Sequence, residues 1–244
     1  MGPLAYRDKH SRELLKLGIA ISKGCVADIL LRNGLRPAPD RKGLTWRQFL
    51  ARHADVVLCA DFLTEEVWTL TGLQTAYIFF VIHLRPRRVL LARATFSHHS
   101  DWVEQQMRNV LWECDSYGIQ PRFLLHSNDS DFSASADRVL KNASVTPVRT
   151  PQRAPNANAY AERWIRSLRQ ECLDHLVHFG LRRLQRVLDQ YREFFNVHRP
   201  HQGIGNRVPG EVGTETPVPV GSDLGAVECD EFLGSLLKSY RRAA

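Results

Sequence analysis

Residues 73–96 constrain the fold of this chain more than any other stretch. LQTAYIFFVIHL and VLLARATF are two runs rich in apolar, aromatic and β-branched residues, separated only by the basic turn RPRR at 85–88. Strands joined by so short a connection pair antiparallel. A third apolar run, VVLCADF at 56–62, precedes them and ends in an acid.

Beyond the hairpin the period changes. Ser100 or Asp101 is expected to cap a helix running to about Tyr117, with Trp102, Val103, Met107, Val110 and Leu111 at helical spacing. RFLLH at 122–126 reads as a buried strand, 134–143 as a short helix and VTPVRT at 145–150 as a short strand. The order strand, strand, strand, helix, strand, helix, strand, helix gives an α/β fold, a ribonuclease-H-like mixed sheet flanked by helices. In that topology the first and fourth strands are neighbours, so the acid ending 56–62 is expected beside the end of 122–126.

The ends of the chain differ from its middle. The net charge of +7 divides as +6 over residues 1–50, −1 over 51–150, +4 over 151–200 and −2 over 201–244. Basic flanks around a nearly neutral centre suit a polyanion such as nucleic acid, and a soluble surface accounts for them as well. Five scattered cysteines without a C-x-x-C pair argue against a zinc knuckle or a disulfide framework, and read as reduced core thiols. An apolar fraction of 43% and a charged fraction of 24% are ordinary for a soluble protein. No apolar run approaches a bilayer span and the first residues lack a signal-peptide core, so the expected location is cytoplasmic, with no membrane partner.

The N-terminal stretch carries amphipathic patches at 14–17 and 26–31, with Ser22 a candidate cap for the second. Two such helices fit either half of a helix-turn-helix DNA-binding module or a plain helical hairpin. The division that emerges is a partial helical module at 1–36, a linker and short helix at 37–53, a core at 54–206 and a C-terminal tail at 207–244. DEFLGSLLKSYRR, near the end of that tail, is expected to form a short amphipathic helix.

Residues 151–172, PQRAPNANAYAERWIRSLRQEC, start as a loop, with Asn158 a good N-cap for a helix from Ala159. Glu162, Arg166 and Arg169 then share one helix face, at spacings of four and three. A carboxylate and two arginines on one stripe can place a metal ligand and phosphate anchors together; a solvated ion-pair face has the same pattern. Arg182, Arg183, Arg186 and Arg192 lie around the helix after Gly180 and fit either a DNA backbone contact or a solvated face. Pro200 is expected to end that helix. Neither His98, His99 nor His126 has a partner at metal-site spacing.

ADF at 60–62, RFLLHSNDSDF at 122–132, RTPQRAPNANAYAERWIRSLRQECLDHL at 149–176 and YREFFNVHRPHQGIGN at 191–206 together resemble the retroviral-integrase-type (DDE) core of bacterial insertion-sequence transposases. The resemblance covers about residues 44–206 and extends more faintly back to Tyr6. It implies Mg²⁺-dependent (or Mn²⁺-dependent) 3′-end cleavage and strand transfer on double-stranded DNA, both element ends and target. It also implies a homo-oligomer on that DNA, in a bacterial cytoplasm and associated with the nucleoid. Such proteins hold a pair of ions with two Asp and one Glu. Asp61 matches the first Asp and Glu162 the Glu, which makes both metal ligands by resemblance; Asn158, Arg163, Arg166, Arg169 and Arg199 fall at DNA-contacting positions. Arg199 could equally stitch the C-terminal segment to the core.

The second Asp is missing. Setting Phe132 against the family's aromatic puts Ser127 in its position, with 34 residues before Glu162; Asp129, with 32, falls two places on. A neutral hydroxyl lacks both the charge and the second oxygen of a bridging carboxylate. The resemblance therefore leaves three readings: an active enzyme in which Asp129 substitutes, a catalytically silent DNA-binding or regulatory relative, and a ribonuclease-H-like nuclease outside transposition, which APNANAYAERW and HRPHQGIGN disfavour. The chain would also begin inside the family's helical module, so that upstream DNA recognition would be missing or lie on another chain.

Overall fold

The computed structural model describes residues 14–34, 45–127, 132–150, 159–211 and 226–243, which fall in two compact units, Met1–Gln48 and Phe49–Ala244. In the first unit, α1 (Lys23–Arg32) begins where the sequence signals it: the Ser22 hydroxyl accepts from the Cys25 N–H at 3.2 Å. Helix α2 (Trp46–His53) opens with a reciprocal cap, Thr45 N–H to Gln48 Oε1 at 2.9 Å and Gln48 N–H to Thr45 Oγ1 at 3.3 Å.

The second unit is built on β1 (Val57–Thr69), β2 (Gly72–His83), β3 (Arg88–Thr95), β4 (Phe123–His126) and β5 (Thr146–Arg149), in the order β3-β2-β1-β4-β5. β2 pairs antiparallel with both β1 and β3, while β4 lies parallel to both β1 and β5. This is the ribonuclease-H-like sheet, with the expected β1–β4 neighbours. β1 is longer than 56–62 suggests: after Phe62 it continues as LTEEVWT, with Leu63 and Val67 buried and Thr64, Glu66 and Trp68 exposed or nearly so, an alternation masked by its charges.

Both faces of the sheet are covered, which is why β2 reads as an unbroken apolar run. Ala76, Ile78, Phe80 and Ile82 point to α5 (Ala159–Glu171) and α6 (Leu181–Glu193), while Phe79 and Val81 point to α3 (Ser100–Ser116) and α4 (Ala134–Asn142). α5 docks through Ala161, Trp164 and Leu168, and α6 through Leu184, Leu188 and Tyr191, each an i, i+3/i+4, i+7 stripe. α4 is capped by Ser133, whose hydroxyl accepts from Ala136 N–H. For α3 the residue at the cap position is His99, not Ser100 or Asp101, and it makes no side-chain cap bond.

α6 runs into a π-helical turn, Phe194–His198, and ends at Arg199, extended as the residue before a proline tends to be. The turn aims Asn196 at β3: its side chain accepts from Val89 N–H at 2.9 Å and donates to Val89 C=O at 2.8 Å. The stretch expected as a C-terminal helix is instead a hairpin, β6 (Val227–Phe232) and β7 (Leu237–Arg242), with Leu233, Gly234 and Ser235 at positive φ. Four apolar residues at helical spacing, Phe232, Leu233, Leu236 and Leu237, sit at and around the hairpin turn and pack on the α5/α6 side of the core. The thiols divide as well: Cys59, Cys114 and Cys172 are buried, but Cys25 and Cys229 are exposed, so the expectation of core thiols holds for three of five.

Candidate functional site

Asp61 lies within β1, opposite Phe80 of β2, on the sheet face that α5 covers. Its Oδ1 accepts from the Phe62 N–H at 2.9 Å. The β1–β4 ladder pairs Val57 with Phe123, Leu58 with Leu124 and Cys59 with Leu125. Continued in the same register, it brings Ser127, the first residue after β4, level with Asp61. Asp129, Asp131 and the rest of 128–131 lie outside the described residues, as does Asn158.

The docking of α5 puts Glu162 at the same end. Trp164 packs on Phe80 with ring centroids 4.2 Å apart, so this turn of the helix sits at the level of Asp61. Five residues later, Arg169 donates to the Thr64 carbonyl at 2.6 Å and reaches Glu65 at 3.3 Å. Helix and strand therefore run in the same sense, and the first turn of α5, with Glu162, faces the Asp61 end of β1. Glu162 is exposed and favourably placed against the helix dipole.

Asp61 and Glu162 thus lie toward the same end of the packed β1–α5 pair. A bound pair of divalent ions requires a bridging carboxylate and further oxygen ligands around them. At the third position the side chain is the Ser127 hydroxyl, and among the described residues no group of three or more His, Cys, Asp or Glu could hold a metal ion. The described donor set does not fit an ion pair.

The arginines expected to meet DNA fall into two groups. Arg163 and Arg166 are both exposed on α5. Arg169 is shared between Thr64, Glu65 and, at 3.8 Å, Asp174. Burial raises the Glu65 carboxyl above its ordinary range, and Arg169 opposes the rise. Arg199 makes a bidentate pair with Glu171, with contacts from 2.6 to 3.1 Å, and Tyr191 donates to the same carboxylate at 2.9 Å. Burial works against the Arg199 charge, but Glu171 more than offsets it and holds the guanidinium protonated.

His201 completes this clip. Burial first, then the charges of Arg199 and Arg87, push its pKa down to about 4, despite the Phe195 carbonyl. The neutral ring takes the tautomer its partners dictate, Nε2–H toward the Phe195 carbonyl at 3.2 Å and Nδ1 accepting from Arg199 at 3.3 Å. In HRPHQGIGN, then, Arg199 and His201 tie the end of α5 to the turn after α6. Arg192, one of the four arginines around α6, is also internal: it donates to the Leu90 carbonyl at 2.7 Å, whereas Arg182 and Arg183 are exposed.

Cys59, His98 and His126 are engaged in packing. Burial first and the charge of Asp61 second push the Cys59 thiol far up. His126 is a core histidine kept neutral by burial, its Nδ1–H on the Ser127 carbonyl at 2.7 Å and its ring stacked on Phe132. Its Nε2 lies 3.4 Å from Asp137 without hydrogen-bond geometry. His98 packs on Tyr77, ring centroids 3.8 Å apart.

Comparison with known proteins adds a family match to the strand order. Residues 143–209 match the family model described as an integrase core domain, a segment that holds Glu162 and the Glu171–Arg199 clip but neither Asp61 nor Ser127. No match was found among curated proteins. Similar solved structures include the catalytic core domain of BIV integrase, at 15% identity and a TM-score of 0.45 over 65% of this chain and 93% of that one. The HTLV-2 integrase catalytic core domain in complex with magnesium gives 8% and 0.49 over 65% and 95%. The simian T-cell lymphotropic virus intasome in complex with PP2A regulatory subunit B56 gamma gives 10% and 0.48 over 75% of this chain and 66% of that chain. The fold assignment rests on the strand order and helix placement.

Proposed function

We propose that this chain is a DNA-binding protein of the transposase and integrase kind, akin to the insertion-sequence transposases it resembles, whose metal-binding carboxylate set is incomplete at Ser127. On this reading it binds double-stranded DNA and assembles with other copies on it, but does not itself cleave 3′ ends or transfer strands. The supporting observation is the β1–β4 register, which meets a serine at the level of Asp61. Asp61 and Glu162 are the two surviving positions for Mg²⁺ or Mn²⁺. In a complete set, two ions would activate the attacking hydroxyl and stabilise the leaving oxygen.

Arg163 and Arg166, exposed on α5, contact backbone phosphates, together with Asn158, which precedes the helix in sequence. Arg169 and Arg199, committed to carboxylates, act instead by fixing the surfaces around them. No helix among the described residues is long and apolar enough to cross a membrane; a location on bacterial DNA in the cytoplasm belongs to the proposal.

The test is 3′-end cleavage and strand transfer of a labelled oligonucleotide with Mg²⁺ or Mn²⁺. The natural chain is expected to be inactive, with Ser127→Asp gaining activity that Glu162→Gln then removes. Cleavage by the natural chain that is lost in Asp129→Asn would overturn the silent reading and make Asp129 the third ligand.

A further inference from the structure

The flank of α5 turned away from Glu162 lines a concave site. There Tyr160, Arg163 and Ser167 face the turn before β3 and the loop after Pro200, around a cavity of about 370 Å³. Arg87 enters it from the β2–β3 turn with φ +60, a left-handed conformation unusual for a side chain of its size. Its guanidinium lies 5.9 Å from the Tyr160 ring centre. On the far side, the guanidinium occupies the space a side chain at 203 would take: a Cβ on Gly203 would fall 1.8 Å from Arg87 Nη2. Arg87 thus lines the cavity from a left-handed turn, and the glycine at 203 leaves room for its guanidinium.

The charges there are not balanced from within. Arg199 is neutralised by Glu171 and His201 is neutral, whereas Arg87 and Arg163 meet no carboxylate among the described residues. Burial first and the charge of Arg163 second lower the Arg87 pKa. A half-buried Arg87 beside an exposed Arg163, with donors from Tyr160, Ser167 and Gln202 lining the same cavity, forms a site that an oxyanion would complete.

We propose that this cavity is a phosphate site in which Arg87 and Arg163 clamp one oxyanion between them, with Gly203 admitting the Arg87 guanidinium. That its occupant is a backbone phosphate of DNA rests on the DNA-binding reading above. The site adds Arg87, Tyr160 and Gly203, from outside the candidate carboxylate set, to the DNA surface.

The experiment uses the full chain and four variants: Arg87→Gln, Arg163→Gln, Gly203→Ala and, as a control, Arg108→Gln on α3, across the sheet. Gly203→Ala keeps every charge and only displaces Arg87. Each is titrated with a labelled duplex over a range of salt, and its melting is followed in inorganic phosphate against chloride of equal ionic strength.

The expected result is weaker duplex binding by the first three and unchanged binding by Arg108→Gln. The slope of log affinity against log salt should fall by about one for each arginine removed. Phosphate should stabilise the natural chain and the control more than the other three. If the natural chain binds duplex and the three variants bind it equally well, the proposal is overturned and the DNA-binding reading stands. If the natural chain binds no duplex, that reading fails, and the phosphate melts decide alone: stabilisation lost in the three variants supports the oxyanion site, and equal stabilisation throughout overturns it.

Discussion

The two flanks of α5 carry the same kinds of residue to opposite ends. On the flank facing β1, Arg169 is spent on Glu65 and the Thr64 carbonyl; at the helix end, Glu171 is spent on Arg199 and Tyr191. On the flank facing the cavity, Arg87 and Arg163 have no carboxylate among the described residues. Charges that hold a fold together are matched inside it, because an unmatched half-buried charge is costly. On the proposed reading, the charges of Arg87 and Arg163 are completed from outside. Glu162, exposed in the first turn of α5, stands on the same logic with the opposite sign.

That contrast is most exposed to failure at Glu171. Glu171→Ala strands a half-buried Arg199 and leaves the buried Tyr191 hydroxyl without its acceptor. A loss of about 4 kcal/mol in chemical denaturation is expected, roughly 3 from the broken pair and 1 from the hydroxyl. A loss below about 1 kcal/mol would mean the clip is ornamental.

The next effect comes from pH. His201 stays neutral in the folded chain down to about 4, while the unfolded chain takes up its proton near the ordinary histidine value. The unfolded state therefore binds more protons between those values. Stability present above pH ~6.5 is lost as pH falls toward ~4, by up to about 3 kcal/mol from this residue. His83, His126 and His178, also lowered by burial, add to the same slope. Denaturation at stepped pH should show the fall, and His201→Asn should remove its share.

Smaller effects separate the flanks directly. Arg169→Gln should cost about 1 kcal/mol, since its partners are only partly shielded. Arg163→Gln and Glu162→Ala should each stay within about 0.5 kcal/mol in the same assay, as groups without an internal partner do. Equal losses at Arg169 and Arg163 would erase the distinction.

Much of the framework is legible in the sequence because it is local. The RPRR turn forces an antiparallel pair, Ser22 signals its helix, and the alternation of strands and helices makes β1 and β4 neighbours. The candidate site is legible only where it matches a known motif, at Asp61, Ser127 and Glu162. Arg87 is visible merely as part of a basic turn, since nothing in RPRR announces a left-handed residue pointing into a cavity. The Glu171–Arg199 pair spans 28 residues and two elements, a separation at which no periodicity connects a carboxylate to its partner. The C-terminal hairpin reads as a helix for a different reason: its apolar residues are clustered at the turn, where helical and hairpin spacing coincide.

The most direct test of the central claim is Mn²⁺ binding to the full chain, followed by electron paramagnetic resonance, which separates a spin-coupled ion pair from isolated ions. An incomplete carboxylate set predicts no coupled pair in the natural chain, and a coupled pair in Ser127→Asp that disappears when Glu162→Gln is added. A coupled pair in the natural chain that is abolished by Asp129→Asn would contradict it, because the third carboxylate would then have been present all along, two residues beyond Ser127.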